Sequence, residues 1–355
     1  MLQPDFESPD YGPRRLSVEL TNICNLHCSY CVRDEDALYH TPANFFSPEL
    51  FESIVGQARE AIGITHVNFT GGEPTLHPQF DKILEIAESH HLKVSFVTNG
   101  WNFEKIWPKL LTHRSAIAHV AFSLDGPTRE KHDEWRGDGS FIRLVRAFSR
   151  CFAGDLPFMV KVVIRRDTFQ QLEQLALFAA RMGAAALHFA HVTPTSADIE
   201  NTSALNLDER TQAEREIAAL ARIFKMKIGI DVGYYNIDES PPCSALAGVS
   251  ANVDYRGRLS LCCNLSGYRS GVGEDDVAAD LNKHDFTNAH VLLSKIAADK
   301  LAERARRLHD ITSNADLYTV SPCLFCLDTS GKLPWRRSTA ADAATARVLP
   351  VLGAV

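Results

Sequence analysis

The sequence lacks the features that carry a chain to a membrane or to a nucleic acid. Its N-terminus has no positively charged segment followed by an apolar run, which excludes an ordinary secretory signal. No uninterrupted apolar stretch approaches the ~18 residues that a membrane-spanning helix requires. The formal net charge of −7 provides no broad attraction to phosphate backbones or anionic lipids. We therefore expect a cytoplasmic protein that binds neither a membrane nor a nucleic acid.

The sequence also has no internal repeat, no low-complexity block and no unusual composition. Hydrophobic residues make up 45% and charged residues 23% of the chain, as in ordinary globular proteins. With 355 residues, the chain is long enough to bury a sizeable core. This length suits one large α/β domain of barrel size, or a barrel core with a smaller appendage.

The chain has nine cysteines, an odd number that cannot be paired completely within one chain. Cys151 stands alone in a helical pattern that is typical of a small buried side chain. In a chain without a secretory signal, clustered cysteines are more often metal ligands than disulfides. The clusters are Cys24, Cys28 and Cys31; Cys243, Cys262 and Cys263; and Cys323 and Cys326.

Between residues 14 and 207, short β-rich runs alternate with helical patterns, which predicts βα units and a parallel sheet. One helical segment begins after Ser47, a suitable N-cap, and another ends before Gly183. Because such connections are nearly always right-handed, six units form a partial (β/α)6 TIM-like barrel, with functional loops at the strand carboxyl ends. The strand candidates are RLSVEL, THVNFT, KVSFVTNG, AHVAFSLDG, FMVKVVIRR and ALHFAHVTP.

The pattern changes after residue 207. A long amphipathic helix is followed by the short strand KIGIDVGYY, a β-hairpin turning at Arg256-Gly257 and a second long helix. We predict a small α+β domain at 208–340 that bears the remaining cysteine clusters. The overall fold class is α/β, with an N-terminal extension at 1–13 and a fraying tail at 341–355.

The first cysteine cluster lies just after the first strand candidate, at the barrel end where catalytic loops belong. Thiolates suit iron–sulfur clusters or zinc, and structural sites of both kinds usually have four protein ligands. A cubane held by only three thiolates leaves one iron open to a small molecule. The alternative is a structural zinc that takes His27 or His40 as its fourth ligand.

The spacing Cys24-x3-Cys28-x2-Cys31, with the aromatic Tyr30 before the third thiol, resembles the cluster loop of the radical S-adenosylmethionine (SAM) enzymes. The resemblance covers residues 14 to about 200. It implies a [4Fe-4S] cluster that binds SAM and, with an electron from a reductant such as flavodoxin or ferredoxin, cleaves it. The resulting 5′-deoxyadenosyl radical removes hydrogen from an unactivated C–H bond of the substrate.

Further motifs lie where this family places its SAM contacts. The run TGGEP at 70–74 resembles the loop that holds the amino group of SAM, which assigns Gly71, Gly72 and Glu73 to the cofactor. The polar residues at the tips of the third and fourth strands, Asn99 and Ser123, are assigned to the ribose or the methionine carboxylate. Capping of a turn is the alternative for each of the two.

Two later strand ends are weighed in the same way. Arg165 in the fifth strand is placed to meet the SAM carboxylate, although an exposed surface arginine is the more ordinary interpretation. The run HVTP at 191–194 matches the region that lines the adenine in similar enzymes.

The second set of cysteines can hold either one zinc ion or a [4Fe-4S] cubane, since four thiolates saturate both. The order Cys243-x18-Cys262, then Cys323-x2-Cys326, with a glycine five residues before the second cysteine, resembles the Twitch domain of the radical enzymes grouped with SPASM proteins. This resemblance implies a second, fully ligated [4Fe-4S] cluster.

Cys263 adjoins a proposed ligand, so its side chain should point away from that of Cys262 if the hairpin remains regular. A free thiol in related epimerases returns hydrogen to the substrate radical, which makes Cys263 a candidate hydrogen donor. Replacement of Cys262 as a ligand is its other option.

The substrate predicted from the sequence is a small polar metabolite such as a sugar or an aminocyclitol, which the enzyme oxidises or epimerises. Because the cysteine loop begins only 24 residues in, we expect no fused leader-peptide-binding domain. The alternative is epimerisation, crosslinking or another modification of a ribosomally made peptide, since residues 125–141 resemble the corresponding loop of peptide-modifying relatives. A metal-sensing or redox-sensing module is the alternative from another class.

Overall fold

A computed structural model describes residues 14–33, 36–234, 243–267, 275–309 and 317–336. Ten strands lie in these ranges. They are β1 Arg15–Thr21, β2 His66–Gly71, β3 Lys93–Thr98, β4 Ile117–Ser123, β5 Phe158–Ile164, β6 Ala186–His191, β7 Lys227–Val232, β8 Ser250–Val253, β9 Arg258–Ser260 and β10 Val277–Asp280. All ten belong to one sheet, in the order β10-β9-β8-β1-β2-β3-β4-β5-β6-β7.

Twelve α-helices in the same ranges connect or cover these strands. They are α1 Pro48–Ile62, α2 Phe80–Ser89, α3 Phe103–Thr112, α4 Arg129–Arg136, α5 Ser140–Ala153, α6 Arg166–Phe169, α7 Leu172–Arg181, α8 Ala197–Thr202, α9 Leu207–Ile223, α10 Phe286–His309, α11 Leu317–Val320 and α12 Pro322–Thr329. A short π-helix at Asp36–His40 and a 3-10 turn at Pro74–Leu76 complete the set.

The six strands predicted for the barrel are confirmed as β1 to β6, and each pairs in parallel with the next. In β1, the apolar residues Leu16, Val18 and Leu20 are fully buried in the main core. Because side chains alternate along a strand, Glu19 and Thr21 point to the opposite face, and both are buried there too. The buried polar residues identify this face as the inner side of the partial barrel.

Helix ends follow the predicted signals. Ser47 caps α1, since its Oγ accepts a hydrogen bond from the backbone N–H of Leu50 at 3.2 Å. Gly63 ends the same helix in the left-handed conformation at φ +66°. Gly183, predicted as a stop, lies just beyond α7 at φ +83°.

The C-terminal region extends both edges of the barrel sheet. Strand β7 pairs in parallel with β6, and β8 pairs in parallel with β1. The predicted hairpin is confirmed as the antiparallel pair β8 and β9, which turns through Gly257 at φ +86°. Asp254 stabilises this turn, because its Oδ1 accepts from Arg256 N and Arg258 N, each at 2.9 Å. One continuous sheet therefore connects the barrel with the segments that bear the later cysteines.

Edge-to-face aromatic contacts hold the helices on the outer side of the sheet. Phe80 of α2 packs against Phe69 of β2 and Phe96 of β3, with ring centroids 6.2 and 5.5 Å apart. No helix in the described ranges is both long enough and apolar enough to cross a bilayer.

Candidate functional site

Two glycines let the loop after β2 pack directly against the backbone of the cysteine loop. Gly72 N donates to Thr21 O at 2.9 Å, and Glu73 N donates to Ile23 O at 2.8 Å. A Cβ added to Gly72 would lie 1.9 Å from Ile23 O, and one added to Gly71 would lie 2.5 Å from Thr21 O. The glycines that the sequence assigns to SAM therefore also position the cysteine loop.

The three thiols of this loop are half-buried beyond the end of β1. Cys31 N donates to Cys28 O at 3.0 Å, which closes a tight turn. The pKa of Cys24 is raised to about 12, chiefly by burial, then by the nearby Glu73 carboxylate and the other two thiols. Burial also raises the pKa of Cys28, and Arg136 opposes that rise. A coordinating metal overrides such shifts, since it deprotonates its thiol ligands.

The donor set fits a three-thiolate cluster. In the described ranges, no three His, Cys, Asp or Glu side chains converge as the ligands of a single ion would. A [4Fe-4S] cluster places each thiolate on a different iron, so its ligands need not share one point. Of the histidines weighed as a fourth zinc ligand, His27 stacks on Tyr39 with centroids 3.8 Å apart, and His40 is exposed.

Glu73 is buried, and its carboxylate ties the Gly-Gly loop to the end of β3. Oε1 accepts from Thr75 N at 3.2 Å, Thr75 Oγ1 at 2.6 Å and Thr98 Oγ1 at 2.7 Å, and Oε2 accepts from Asn99 N at 2.8 Å. Burial raises the pKa of Glu73, and these hydrogen bonds oppose the rise. Each carboxylate oxygen has about two acceptor sites, so Oε2, which accepts one hydrogen bond, retains capacity for a ligand ammonium group.

Asn99 faces the cysteine loop and also caps a turn, so both predicted roles are compatible with its place. Its Nδ2 donates to Asn25 Oδ1 at 3.0 Å and lies 3.9 Å from Cys24 Sγ, while its Oδ1 accepts from Trp101 N at 2.9 Å. Ser123 is half-buried at the end of β4. Its SAM contact remains a prediction.

A buried ionic network anchors the tip of the cysteine loop. Tyr30 Oη donates to Asp125, and Arg136 Nη2 donates to Tyr30 Oη at 2.9 Å. Asp125 also pairs with Arg136 Nε and with Arg165 Nη1, the latter at 3.0 Å. The Arg165 guanidinium lies 3.9 Å from the centroid of the Trp135 ring, a cation–π contact. Burial by itself would raise the pKa of Asp125, but Arg136 and Arg165 outweigh it and hold that pKa well below its usual range.

This network was not predicted from the sequence. Arg165 was expected more as a surface residue, and this was wrong, because its side chain is fully buried between Asp125 and two aromatic rings. Arg136 lies in the loop 125–141, which was noted only for its resemblance to peptide-modifying relatives. The available signal was the charge of Asp125 at the end of an apolar strand, directly after Ser123 and Leu124.

The run at 191–194 contacts helix α9. His191 ends β6, and its Nε2 lies 3.4 Å from Glu214 Oε1 of that helix. Burial lowers the pKa of His191, and the Glu214 contact opposes this effect. Its assignment to the adenine remains a prediction.

A row of titratable side chains crosses the sheet on the same face as Ser123, and it was not singled out from the sequence. Lys161 of β5 pairs with Asp231 of β7, and His188 Nδ1 of β6 lies 3.8 Å from Asp231 Oδ2. The pKa of His119 in β4 is lowered to about 3, chiefly by burial and then by the Lys161 charge. Because residues two apart on a strand share a face, His119 and Ser123 point the same way. These polar positions alternate with apolar ones, which is the signal that could have found them.

The second cysteine set comes from three separate segments. Gly233 N donates to Cys323 Sγ at 3.3 Å. Asn264 N donates to Cys262 Sγ at 3.4 Å. Burial and the neighbouring Cys243 thiol raise the pKa of Cys323 to about 12, and the same two causes raise the pKa of Cys326. Cys243 therefore lies near Cys323 and Cys326, and the role of these cysteines and Cys262 as ligands of a second site remains a prediction.

Cys263 lies beside Cys262, so the expectation that the two side chains diverge is wrong. Strand β9 ends at Ser260, and Cys263 belongs to a turn, where strand alternation no longer applies. A hydrogen bond with Cys262 lowers the pKa of Cys263 to about 7, burial opposes this effect, and the Arg33 charge reinforces it.

Arg33 links the two cysteine regions. Its Nη1 donates to Glu19 Oε1 and to Ser266 O, each at 2.6 Å. A small cleft, partly open to solvent, lies beside this ion pair. Residues from both regions line it, among them Glu19, Thr21, Gly71, Gly72, Tyr255 and Gly267.

Comparison with known proteins supports the barrel assignment. The family model described as the Radical SAM superfamily matches residues 18–179. The mycofactocin maturase MftC of Mycobacterium tuberculosis is 36% identical over 186 residues, which are 52% of this chain and 46% of that protein. The PqqA peptide cyclase of Gluconobacter oxydans is 27% identical over 257 residues, which are 70% of each chain. The chain thus spans about half the length of the first relative and somewhat more of the second.

A solved structure extends the likeness beyond the barrel. Streptococcus suis SuiB, bound to the precursor peptide SuiA, has a TM-score of 0.65 and 15% sequence identity, covering 88% of this chain and 70% of that chain. At this identity the likeness concerns the fold alone. It confirms the predicted fold class, a partial barrel of βα units with a further C-terminal region.

Proposed function

We propose that this chain, which belongs to the radical SAM superfamily through its domain at residues 18–179, abstracts hydrogen from a C–H bond of a ribosomally made peptide. The observation that carries the radical chemistry is the three-thiol loop packed, backbone to backbone, against Gly71 and Gly72. When a cluster is bound there and reduced by a donor such as flavodoxin or ferredoxin, it supplies the electron that cleaves SAM to a 5′-deoxyadenosyl radical.

The chain's own residues hold and orient the reactants. Cys24, Cys28 and Cys31 are the proposed cluster ligands, and they leave one coordination position for SAM. The backbone around Gly72 and the remaining acceptor site of Glu73 bind the SAM ammonium group. In the same proposal, Asn99 and Ser123 contact the ribose or carboxylate end, and Tyr30 fixes the loop through its hydrogen bonds to Asp125 and Arg136.

A second [4Fe-4S] cluster is proposed for the predicted domain at 208–340, as in Twitch and SPASM enzymes. The support is that all four thiols are buried or half-buried and that Cys243 lies close enough to Cys323 and Cys326 to raise the pKa of each. Cys263 has two proposed roles, hydrogen donation and replacement of Cys262 as a ligand, and its contact with Cys262 favours the second. The four proposed ligands are Cys243, Cys262, Cys323 and Cys326.

The relatives favour a peptide over the small polar metabolite expected from the sequence. One is a cyclase of the PqqA peptide that matches 70% of this chain, and SuiB shares the fold and has been solved with its precursor peptide. The charged row of Lys161, Asp231 and His188 offers both signs of charge to a polar substrate in the barrel.

Anaerobic reconstitution with iron and sulfide, reduction with dithionite and assay of 5′-deoxyadenosine test the radical chemistry. We expect about eight irons per chain in the wild type, and about four with no deoxyadenosine in Cys28→Ala. Cys151→Ala is the matched control, because Cys151 is buried in the main core. Absence of deoxyadenosine from a fully loaded wild-type enzyme would contradict the proposal.

The peptide assignment has a separate test. The reconstituted enzyme receives SAM, dithionite and either a precursor peptide encoded beside its gene or a panel of sugars and aminocyclitols. We expect a mass change in the peptide, with deoxyadenosine formed above the rate without substrate. A product from a sugar or aminocyclitol alone would reverse the assignment.

A further inference from the structure

The buried ion pair of Glu19 and Arg33 lies where the two cysteine regions meet. The Arg33 and Glu19 side chains expose 10% and 1% of their surface, and Arg33 Nη1 lies 2.6 Å from Glu19 Oε1. Removing two charges from water is costly, and the attraction between them offsets this cost only with close geometry and further hydrogen bonds. The further contacts of this pair therefore indicate what it holds in place.

Arg33 connects the first cysteine loop to the turn after β9. It follows Cys31 by two residues, and its Nη1 also donates to Ser266 O at 2.6 Å. Ser266 N in turn donates to Cys262 O at 3.1 Å, which closes the turn that carries Cys262. One guanidinium group therefore joins the end of the first cysteine loop to the turn that bears a proposed ligand of the second site.

Glu19 is held from the barrel on one side and from the hairpin on the other. A Cβ added to Gly71 would lie only 3.3 Å from the Glu19 Cβ, so the Gly-Gly loop packs on this residue. Asn252 Nδ2 of β8 lies 3.5 Å from Glu19 Oε1 and donates to Ser260 Oγ of β9 at 3.1 Å. The carboxylate thus has a fixed place in the sheet, between the Gly-Gly loop and the hairpin.

The strand ladders alone do not hold the turn that carries Cys262. They connect the two regions through β1, β8 and β9, but β9 ends at Ser260, two residues before Cys262. Beyond that point, the hydrogen bond from Arg33 to Ser266 O ties the turn to the first cysteine region. The two charges of the pair cancel, so the pair contributes to the geometry of the turn more than to the net charge near the thiols.

We propose that Arg33 and Glu19 form a positioning pair that fixes the separation between the cluster on the first cysteine loop and the cluster that Cys262 helps to hold. The inference rests on the proposed function, because it requires iron–sulfur clusters at both sites. The pair acts on Cys262 through the backbone of Ser266. Without it, the turn after β9 moves relative to the first loop, and the separation increases or spreads over a range.

Pulsed dipolar electron paramagnetic resonance on the full-length chain, with both clusters loaded and reduced, tests the pair. The interaction between two unpaired spins falls with the cube of their distance, so it measures the separation directly. We expect one narrow distance distribution in the wild type, and a broader distribution or a longer mean distance in Arg33→Met. Because a single nitrogen of Arg33 makes both contacts, the ammonium group in Arg33→Lys can replace it and should keep the wild-type distribution.

Arg258→Met is the matched control, since Arg258 pairs with Asp254 Oδ2 at 2.7 Å, a contact that stays within the hairpin. It should leave the distance distribution unchanged. Equal distributions in the wild type and Arg33→Met, each with about eight irons per chain, would overturn the positioning role and leave both clusters intact. Only about four irons in the wild type would overturn the second cluster and this inference together. If Arg33→Met does not load both clusters, Glu19→Gln decides the question by the same measurement, because it removes the charge that holds the guanidinium group.

Discussion

Both cysteine regions have buried charged side chains near their thiols, but the two regions differ in how the thiols are assembled and in what the charged side chains contact. The first set lies on one loop of eight residues, and the second is assembled from three segments of the chain. Near the first set, each buried arginine has a carboxylate: Asp125 pairs with Arg136, Asp125 and Asp167 pair with Arg165, and Glu19 pairs with Arg33. Near the second, two buried cations donate to neutral oxygens: Arg210 donates to Gly233 O, and Lys300 donates to Thr329 Oγ1.

This difference suggests a division of labour. A cluster that must bind SAM at an open iron needs a loop of fixed shape, and paired charges fix it without adding net charge nearby. A cluster that is saturated by the protein has no ligand to position, so its surroundings are free to set its potential. The following predictions test the account of the first region.

Gly72→Ala should have the largest effect, because a Cβ 1.9 Å from Ile23 O displaces the cysteine loop. We expect deoxyadenosine formation to fall about 100-fold, as for other displacements near 1 Å in an active site. The second cluster should remain, so iron should not fall below about four per chain. Gly229→Ala is the control, since nothing lies within 4 Å of its added Cβ. Equal activity in the two variants would break the link between the Gly-Gly loop and the cluster.

Asp125→Asn should have the largest effect on stability, as distinct from activity, since it leaves Arg136 and Arg165 buried with a neutral partner. Breaking a buried ion pair costs about 3–5 kcal/mol, and denaturant unfolding measures the loss. Asp81→Asn removes an exposed pair with Lys109 at 2.9 Å and should cost less than about 1 kcal/mol. If the two variants lost the same stability, the paired network would not be what holds the loop.

The stability of the first region should also fall in acid. Burial, followed by the Arg136 charge, lowers the pKa of His132 to about 4, from an ordinary value of 6.5. Between pH 6.5 and 4, the unfolded chain binds a proton at His132 and the folded chain does not. The contribution of the neutral, buried His132 to stability is therefore complete above pH 6.5 and is lost as the pH falls towards 4. We expect about 1.4 kcal/mol of loss at pH 5.5, and a flatter profile in His132→Gln.

Ser123→Ala should have the smallest effect. Loss of one hydrogen bond to SAM is worth about 1 kcal/mol, which corresponds to roughly a fivefold rise in KM for SAM. The kcat for deoxyadenosine formation should change less than KM, because the residue binds the cofactor and takes no part in its cleavage. An unchanged KM would remove Ser123 from the proposed SAM contacts.

The features that could be predicted from the sequence are those set by local patterns. The six barrel strands follow from short apolar runs between helical segments, and the turn at Gly257 follows from the need for positive φ. The first cysteine set could be predicted because all its proposed ligands and their spacings lie within one loop.

Features that depend on distant residues could not be predicted. Asp125 and Arg165 lie 40 positions apart and meet only because parallel strands end at the same edge of the sheet. The burial of Arg304 depends on how α10 packs against a segment that follows it. Cys263 was misplaced for a local reason, since the strand ends two residues before the position at which regular alternation was assumed.

The most direct test of the central claim is pulsed electron paramagnetic resonance of the reduced enzyme with SAM labelled with 15N in its amino group. A three-thiolate cluster with an open iron predicts hyperfine coupling between the cluster spin and the labelled nitrogen. That coupling should persist when Lys300 is replaced with Met and disappear in Cys28→Ala. A fully loaded first cluster that shows no coupling to SAM would contradict the account.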